Sequence, residues 1–180
     1  GFGLIPAGTL GQTPATSGTG KYKIDAGYTT TIYHGGAVAS NAGYIIDGQT
    51  TDAPILGVLN GIFYNAATTL KPTFANFYKQ PITPANSEDI DAFVFDNPQQ
   101  QYVVATDDAV AQSGYLETYD MNTSAGSDTT GQSSATLDIG DTSADAASFR
   151  LLRSAEDPEN DENAARRSVV VCINLIELQS

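Results

Sequence analysis

The segment from Ser168 to Leu178 limits the fold more than any other part of the chain. Val169, Val171, Ile173 and Leu175 fall on one side of an extended backbone, and Val170, Cys172, Ile176 and Leu178 fall on the other. A strand that is apolar on both faces needs cover on both, either in the centre of a sheet or against a partner chain. Helical periodicity is weak everywhere else, with Ala105–Ala111 the one tempting short turn. Strand signals recur instead. Lys21–Asp25 alternates polar and apolar residues, and Tyr28–Tyr33 is rich in β-branched and aromatic residues. Gly43–Ile46 is closed by the hairpin dipeptide Asp47-Gly48. Ile55–Tyr64 reads as a buried strand in which Gly57 and Gly61 mark bulges or close backbone approach. Phe74–Tyr78 is stopped by Pro81 and Pro84. Ala92–Phe95 and Tyr102–Val104 flank Asp96-Asn97-Pro98, a hairpin-like break. The expectation is an all-β fold, a β-barrel or β-sandwich with long polar loops.

The 180 residues fit a single β domain, 1–180, with an extended N-terminal arm over 1–19. Residues 106–147 form a Ser/Thr/Asp-rich excursion, pinned by Tyr115, Leu116, Leu137 and Ile139. Eight Lys and Arg stand against 21 Asp and Glu, a net charge of −13, yet only 16% of residues are charged and 41% are hydrophobic. That balance argues against a charge-driven disordered chain. It also leaves no basic footprint for phosphates, so nucleic acid is not an expected partner. No apolar run approaches the roughly 18 residues of a spanning helix, so no membrane role is expected. Gly1-Phe2-Gly3 lacks the charged and apolar regions of a secretory signal. All basic residues lie in two blocks, Lys21 to Lys79 and Arg150 to Arg167. The acidic stretch between them reads as a solvated face, with the two ends of the chain turned toward a partner.

The residues offer little catalytic chemistry. His34, the only histidine, sits in a Tyr-His-Gly-Gly turn, and no nucleophile-elbow motif accompanies it. Cys172 lies mid-strand with no activating charge beside it in sequence, as a packed core thiol does. Gly18-Thr19-Gly20-Lys21 hints at a phosphate loop, but Ala15 and Tyr22 occupy positions that a Walker loop gives to Gly and to Ser or Thr. Asp157, Glu159 and Asp161 have calcium-loop spacing, whereas Glu162 and Ser168 replace the loop's glycine and its twelfth-position acid. A carboxylate pair for glycoside hydrolysis is not visible in sequence, and a chain with no Trp lacks an indole sugar platform. Asn122-Thr123-Ser124 matches a glycosylation sequon. No catalytic residue, metal or cofactor is expected.

Several segments, in order, resemble a family of tailed-phage virion structural proteins. Gly1-Phe2-Gly3-Leu4-Ile5-Pro6 is similar to its opening. Lys21–Tyr28 with Thr31–Val38 resembles its Y-x-I-x-x-G-Y … I-F-x-G-D-P-V segment, with Gly36-Ala37 where the family has Asp-Pro. Ile55-Leu56-Gly57-Val58 and Gly61-Ile62-Phe63-Tyr64 resemble its I-L-G-V-x-x-G-x-x-Y core. Phe74–Tyr78, Ala92–Asn97 and the Gly126–Gly131 loop follow in the family's order. Asp157-Pro158-Glu159-Asn160 leading to Val169–Asn174 resembles its D-P-x-N … V-x-I-N ending. The resemblance covers nearly the whole chain and implies a head decoration (cement) protein on the outer surface of the virion, with the major capsid protein as partner. Lattice three-fold positions make a homotrimer the expected state. The expected shell contacts are Phe2, Leu4 and Ile5, exposed on the arm, framed by Lys21, Lys23, Arg150 and Arg153. The competing expectation is a virion-surface host- or glycan-binding module using Tyr28, Tyr33 and the Ser/Thr-rich loop.

Overall fold

Three antiparallel sheets account for the strands of the computed structural model, which describes residues 1–11, 18–48, 54–122, 126–140, 147–158, 160–161, 164–174 and 177–179. A five-stranded sheet runs in the order β1 (Ile5–Thr9), β8 (Gln100–Ala105), β13 (Ser168–Ile173), β12 (Phe149–Ser154) and β9 (Thr118–Tyr119). A six-stranded sheet runs β2 (Gly20–Ile24), β7 (Ile90–Phe95), β5 (Gly57–Asn65), β3 (Ala37–Asn41) and β4 (Tyr44–Asp47). Its sixth strand, β6 (Pro72–Ala75), shares an edge of β5 with β3. A small ribbon pairs β10 (Met121–Asn122) with β11 (Thr136–Leu137). The fold is all-β and sandwich-like, with no closed barrel among the described residues.

Two cores explain the arrangement. Phe149, Leu151, Val169, Val171, Tyr102 and Val104 project from the five-stranded sheet against Ala37, Ile55 and Val58 of the six-stranded side. The second core fills the curl of the six-stranded sheet with Ile24, Val38, Ile45, Leu59, Ile62, Ile90 and Val94. Strands β3 and β5 therefore feed both. Ala37 and Val58 face the first core, and Val38 and Leu59 the second. The β-bulge at Asn60 re-aims the later half of β5, keeping Ile62 in the second core. At Gly57 a Cβ would stand 2.2 Å from the Phe95 carbonyl oxygen, so β5 and β7 approach too closely there for any side chain.

Strand β13 occupies the centre of its sheet, as its two apolar faces require, but it ends at Ile173 rather than Leu178, which lies in a 3₁₀ turn (Glu177–Gln179) and is 53% exposed. Other expectations need correction. Strands β7 and β8 do not pair. Asp96-Asn97-Pro98 carries the chain from one sheet to the other, held by Gln100 N–H on the Asn97 carbonyl at 3.0 Å. Tyr28–Tyr33 contributes a single bridge, Ile32 to Tyr78, rather than a strand. The β3–β4 hairpin turns at Ala42-Gly43, both with positive φ (52° and 88°), while Asp47 ends β4, paired with Val38, and Gly48 follows it. The N-terminal segment is not a free arm. Leu4 donates its N–H to the Gly35 carbonyl at 2.8 Å, Gln132 reaches the Phe2 carbonyl, and Ile5–Thr9 forms β1. The Ser/Thr/Asp-rich stretch supplies buried Tyr119, Met121, Ala135 and Leu137 to the first core. Tyr115 and Ile139 pack on that core, but Leu116 is 62% exposed.

Candidate interaction surfaces

The alternation that sends Phe149, Leu151, Val169 and Val171 inward sends Arg150, Arg153, Val170 and Cys172 to the outer face of the five-stranded sheet. Cross-strand register aligns two rows there. One runs Ile5, Val103, Val170 and Arg153; the other runs Gly8, Gln101, Cys172 and Arg150. Arg150 donates to the Leu116 carbonyl at 2.8 Å and to Asn174 Oδ1 at 3.1 Å, both neutral acceptors. Arg150 and Arg153 are exposed, and no carboxylate among the described residues stands within ion-pair distance of either. The exposed apolar residues here are Ile5 and Leu116; Val103 is half-buried, and Val170 and Cys172 are buried (2% and 8% exposed). Burial pushes the Cys172 thiol up, against the pull of nearby Arg150.

The expected shell-contact set thus divides. Ile5, Arg150 and Arg153 share this face. Leu4 does not belong to it: one residue from Ile5, it points the other way and is 1% exposed in the first core. Phe2 is half-buried, its carbonyl engaged by Gln132. Lys21 and Lys23 lie on the six-stranded sheet, where both ammoniums grip Asp91, at 2.7 and 2.5 Å. Burial alone raises the Asp91 carboxyl, but the two lysines outweigh it and hold its pKa below the usual range.

Beside that triad lies a group of rings that sequence reasoning missed. Phe63, Phe74 and Phe93 come from β5, β6 and β7, with centroids 5.1 Å apart for Phe63–Phe74 and 5.9 Å for Phe74–Phe93. The signal was the pattern Ala92-Phe93-Val94-Phe95, apolar on both faces. Phe95 packs on the first core, and Phe93 continues the same face beyond that core's edge.

The tyrosines proposed for glycan contact separate. Tyr28 is half-buried, accepting from Asp47 N–H at 2.7 Å and leaning on Tyr78. Tyr33 stacks on Phe77 at 5.8 Å and donates to Asp128, which also pairs with Lys79. The Ser/Thr-rich loop closes on this stack through glycines. A Cβ at Gly126 would meet Tyr33 at 2.4 Å, and one at Gly131 would meet Phe77 at 2.3 Å.

His34 Nδ1 stands 2.9 Å from the Asn60 carbonyl. Asn160 knits the β12–β13 connection, reaching Ser154 Oγ and the Ala155 and Ser168 carbonyls while accepting from Ser168 N–H. Among the described residues, no three His, Cys, Asp or Glu side chains gather as metal ligands. Ala15, Glu159, Glu162, Leu175, Ile176 and the sequon beyond Asn122 lie outside the described residues. Compared with protein-family models, curated proteins and solved structures, the chain finds no match in any of the three.

Proposed function

We propose that the chain is a decoration (cement) protein of a tailed-phage head, seated on the outer surface of the major capsid protein lattice. The observation that carries this reading is the outer face of the five-stranded sheet. On a chain of net charge −13, it holds two exposed guanidiniums with no carboxylate partner among the described residues, together with exposed Ile5 on β1. Such a face suits an acidic, partly apolar partner surface. The order of motifs resembling a virion structural family supports the same partner. A homotrimer at local three-fold positions is the assembly we favour.

The mechanism is linkage. A protein that binds the expanded shell and not its disassembled subunits stabilises the shell by about 2.7 kcal/mol per site at a concentration of 100 Kd. Repetition over the lattice adds avidity, so each contact can be modest. The test adds purified protein to undecorated expanded heads and follows their burst temperature. A rise with occupancy is expected, and no rise at saturation rejects cementing. The paired charge reversals Arg150→Glu and Arg153→Glu should weaken shell binding at least roughly tenfold. Undiminished binding would remove this face from the contact.

A further inference from the structure

On the other sheet, Gly61 adds no side chain to the face that carries Phe63, and Phe74 of β6 and Phe93 of β7 stack across β5 with centroids 5.9 Å apart. A groove of about 430 Å³ lies against this pair, within the range of small-ligand sites. Phe74 is 72% exposed and yet held in place, tilted against Phe63 and within 13° of parallel to Phe93. An exposed ring that is already immobilised loses little freedom when a ligand covers it.

The polar groups of the groove select the ligand's chemistry. They are Thr19, Asn60 and Asn76, all neutral, although the chain carries 21 acids. The Asn60 side-chain amide makes no hydrogen bond among the described residues, so it offers donors and acceptor together. Asn76 spends an N–H on the Thr130 carbonyl at 2.9 Å and keeps its amide oxygen for a partner. Among the described lining residues, a phosphate or carboxylate would find no cation and an ammonium no carboxylate. A second copy of the chain would need about 800 Å² of surface per partner, more than one exposed ring and a narrow groove provide. What fits is an uncharged ring with an apolar C–H face and a rim of hydroxyls. We propose that the groove between β5, β6 and β7 binds a neutral sugar, with the pyranose face on Phe74 and its hydroxyls on Asn60 and Asn76.

This inference does not depend on shell binding, and its test uses the isolated protein. The full chain, labelled with a fluorophore, is applied to an array of neutral hexose and N-acetylhexosamine oligosaccharides of two to six units, with sialylated and sulfated glycans alongside. Retention on neutral oligosaccharides is expected. Phe74→Ala should reduce it roughly tenfold and Asn60→Ala severalfold, the scale of one stacking contact and one hydrogen bond. Both positions are exposed, so unchanged thermal unfolding of the two variants confirms that any loss belongs to the site. No retention of neutral glycans, retention confined to charged ones, or equal retention by both variants would overturn the proposal.

Discussion

Arg166 and Arg167 are neighbours with the same side chain, and their replacement should have very different consequences. Arg167 is 4% exposed. It donates from Nη2 to the Val110 carbonyl at 2.8 Å and to the Tyr115 hydroxyl at 2.9 Å, and its guanidinium lies 5.5 Å from the Tyr115 ring centroid. Arg166 is exposed. Hydrogen bonds from a charged donor contribute about 1.5–3 kcal/mol each, and the ring contact adds about 0.5–2 kcal/mol. Releasing the guanidinium from burial offsets several kcal/mol of that gross loss. Arg167→Ala should therefore destabilise the fold by about 3 kcal/mol net. For a chain of this size that lowers Tm by roughly 6–12 °C, whereas Arg166→Ala should stay within about 0.5 kcal/mol of the parent. Thermal unfolding by circular dichroism, supported by a guanidinium titration of all three proteins, reads the difference. Equal Tm values for the two variants would refute the idea that Arg167 fastens the 106–115 segment to β13.

Three further outcomes are expected. Gly57→Ala should cost more than about 2 kcal/mol, because its Cβ would collide with the Phe95 backbone, and a denaturation midpoint near that of the parent would contradict this close approach. Leu4→Ala should cost about 3 kcal/mol and Ile5→Ala less than about 1 kcal/mol, a contrast measurable by urea titration and lost if the β1 register is shifted by one residue. Asp91 has a depressed folded-state pKa, so its contribution is present above the unfolded value, near 3.9, and is lost as pH falls through the folded value. Asp91→Asn should remove that part of the acid sensitivity below about pH 4, and identical acid-unfolding curves for variant and parent would count against the pairing with Lys21 and Lys23.

The sequence made some features plain because their cause is local. Apolar residues on both faces of Val169–Ile173 require a central strand, and that is where β13 lies. Gly57 and Gly61 signalled a close approach and a disturbed register in β5, and both are present. What could not be read depended on distant partners. Asp96-Asn97-Pro98 has the residues of a hairpin turn, but β7 finds β2 and β5 while β8 finds β1 and β13. Tyr28–Tyr33 has high strand propensity but forms only the one bridge, Ile32 to Tyr78, so propensity yields to context. Leu4 and Ile5 differ by one step along β1, and only the pairing of Ile5 with Val103 decides which is buried. The same holds for Phe93 and Phe95, equivalent in sequence and separated by where the first core ends.

Strands β3 and β5 serve as a party wall, with one hydrophobic interior resting on each side. Neither interior can open while the other stays closed, because Ala37 and Val58 are threaded through the same backbone as Val38 and Leu59. Heat, acid or denaturant should therefore dismantle both at once, in a single melting step rather than two. In the cementing role proposed above, strain applied at one face would be resisted by the whole body.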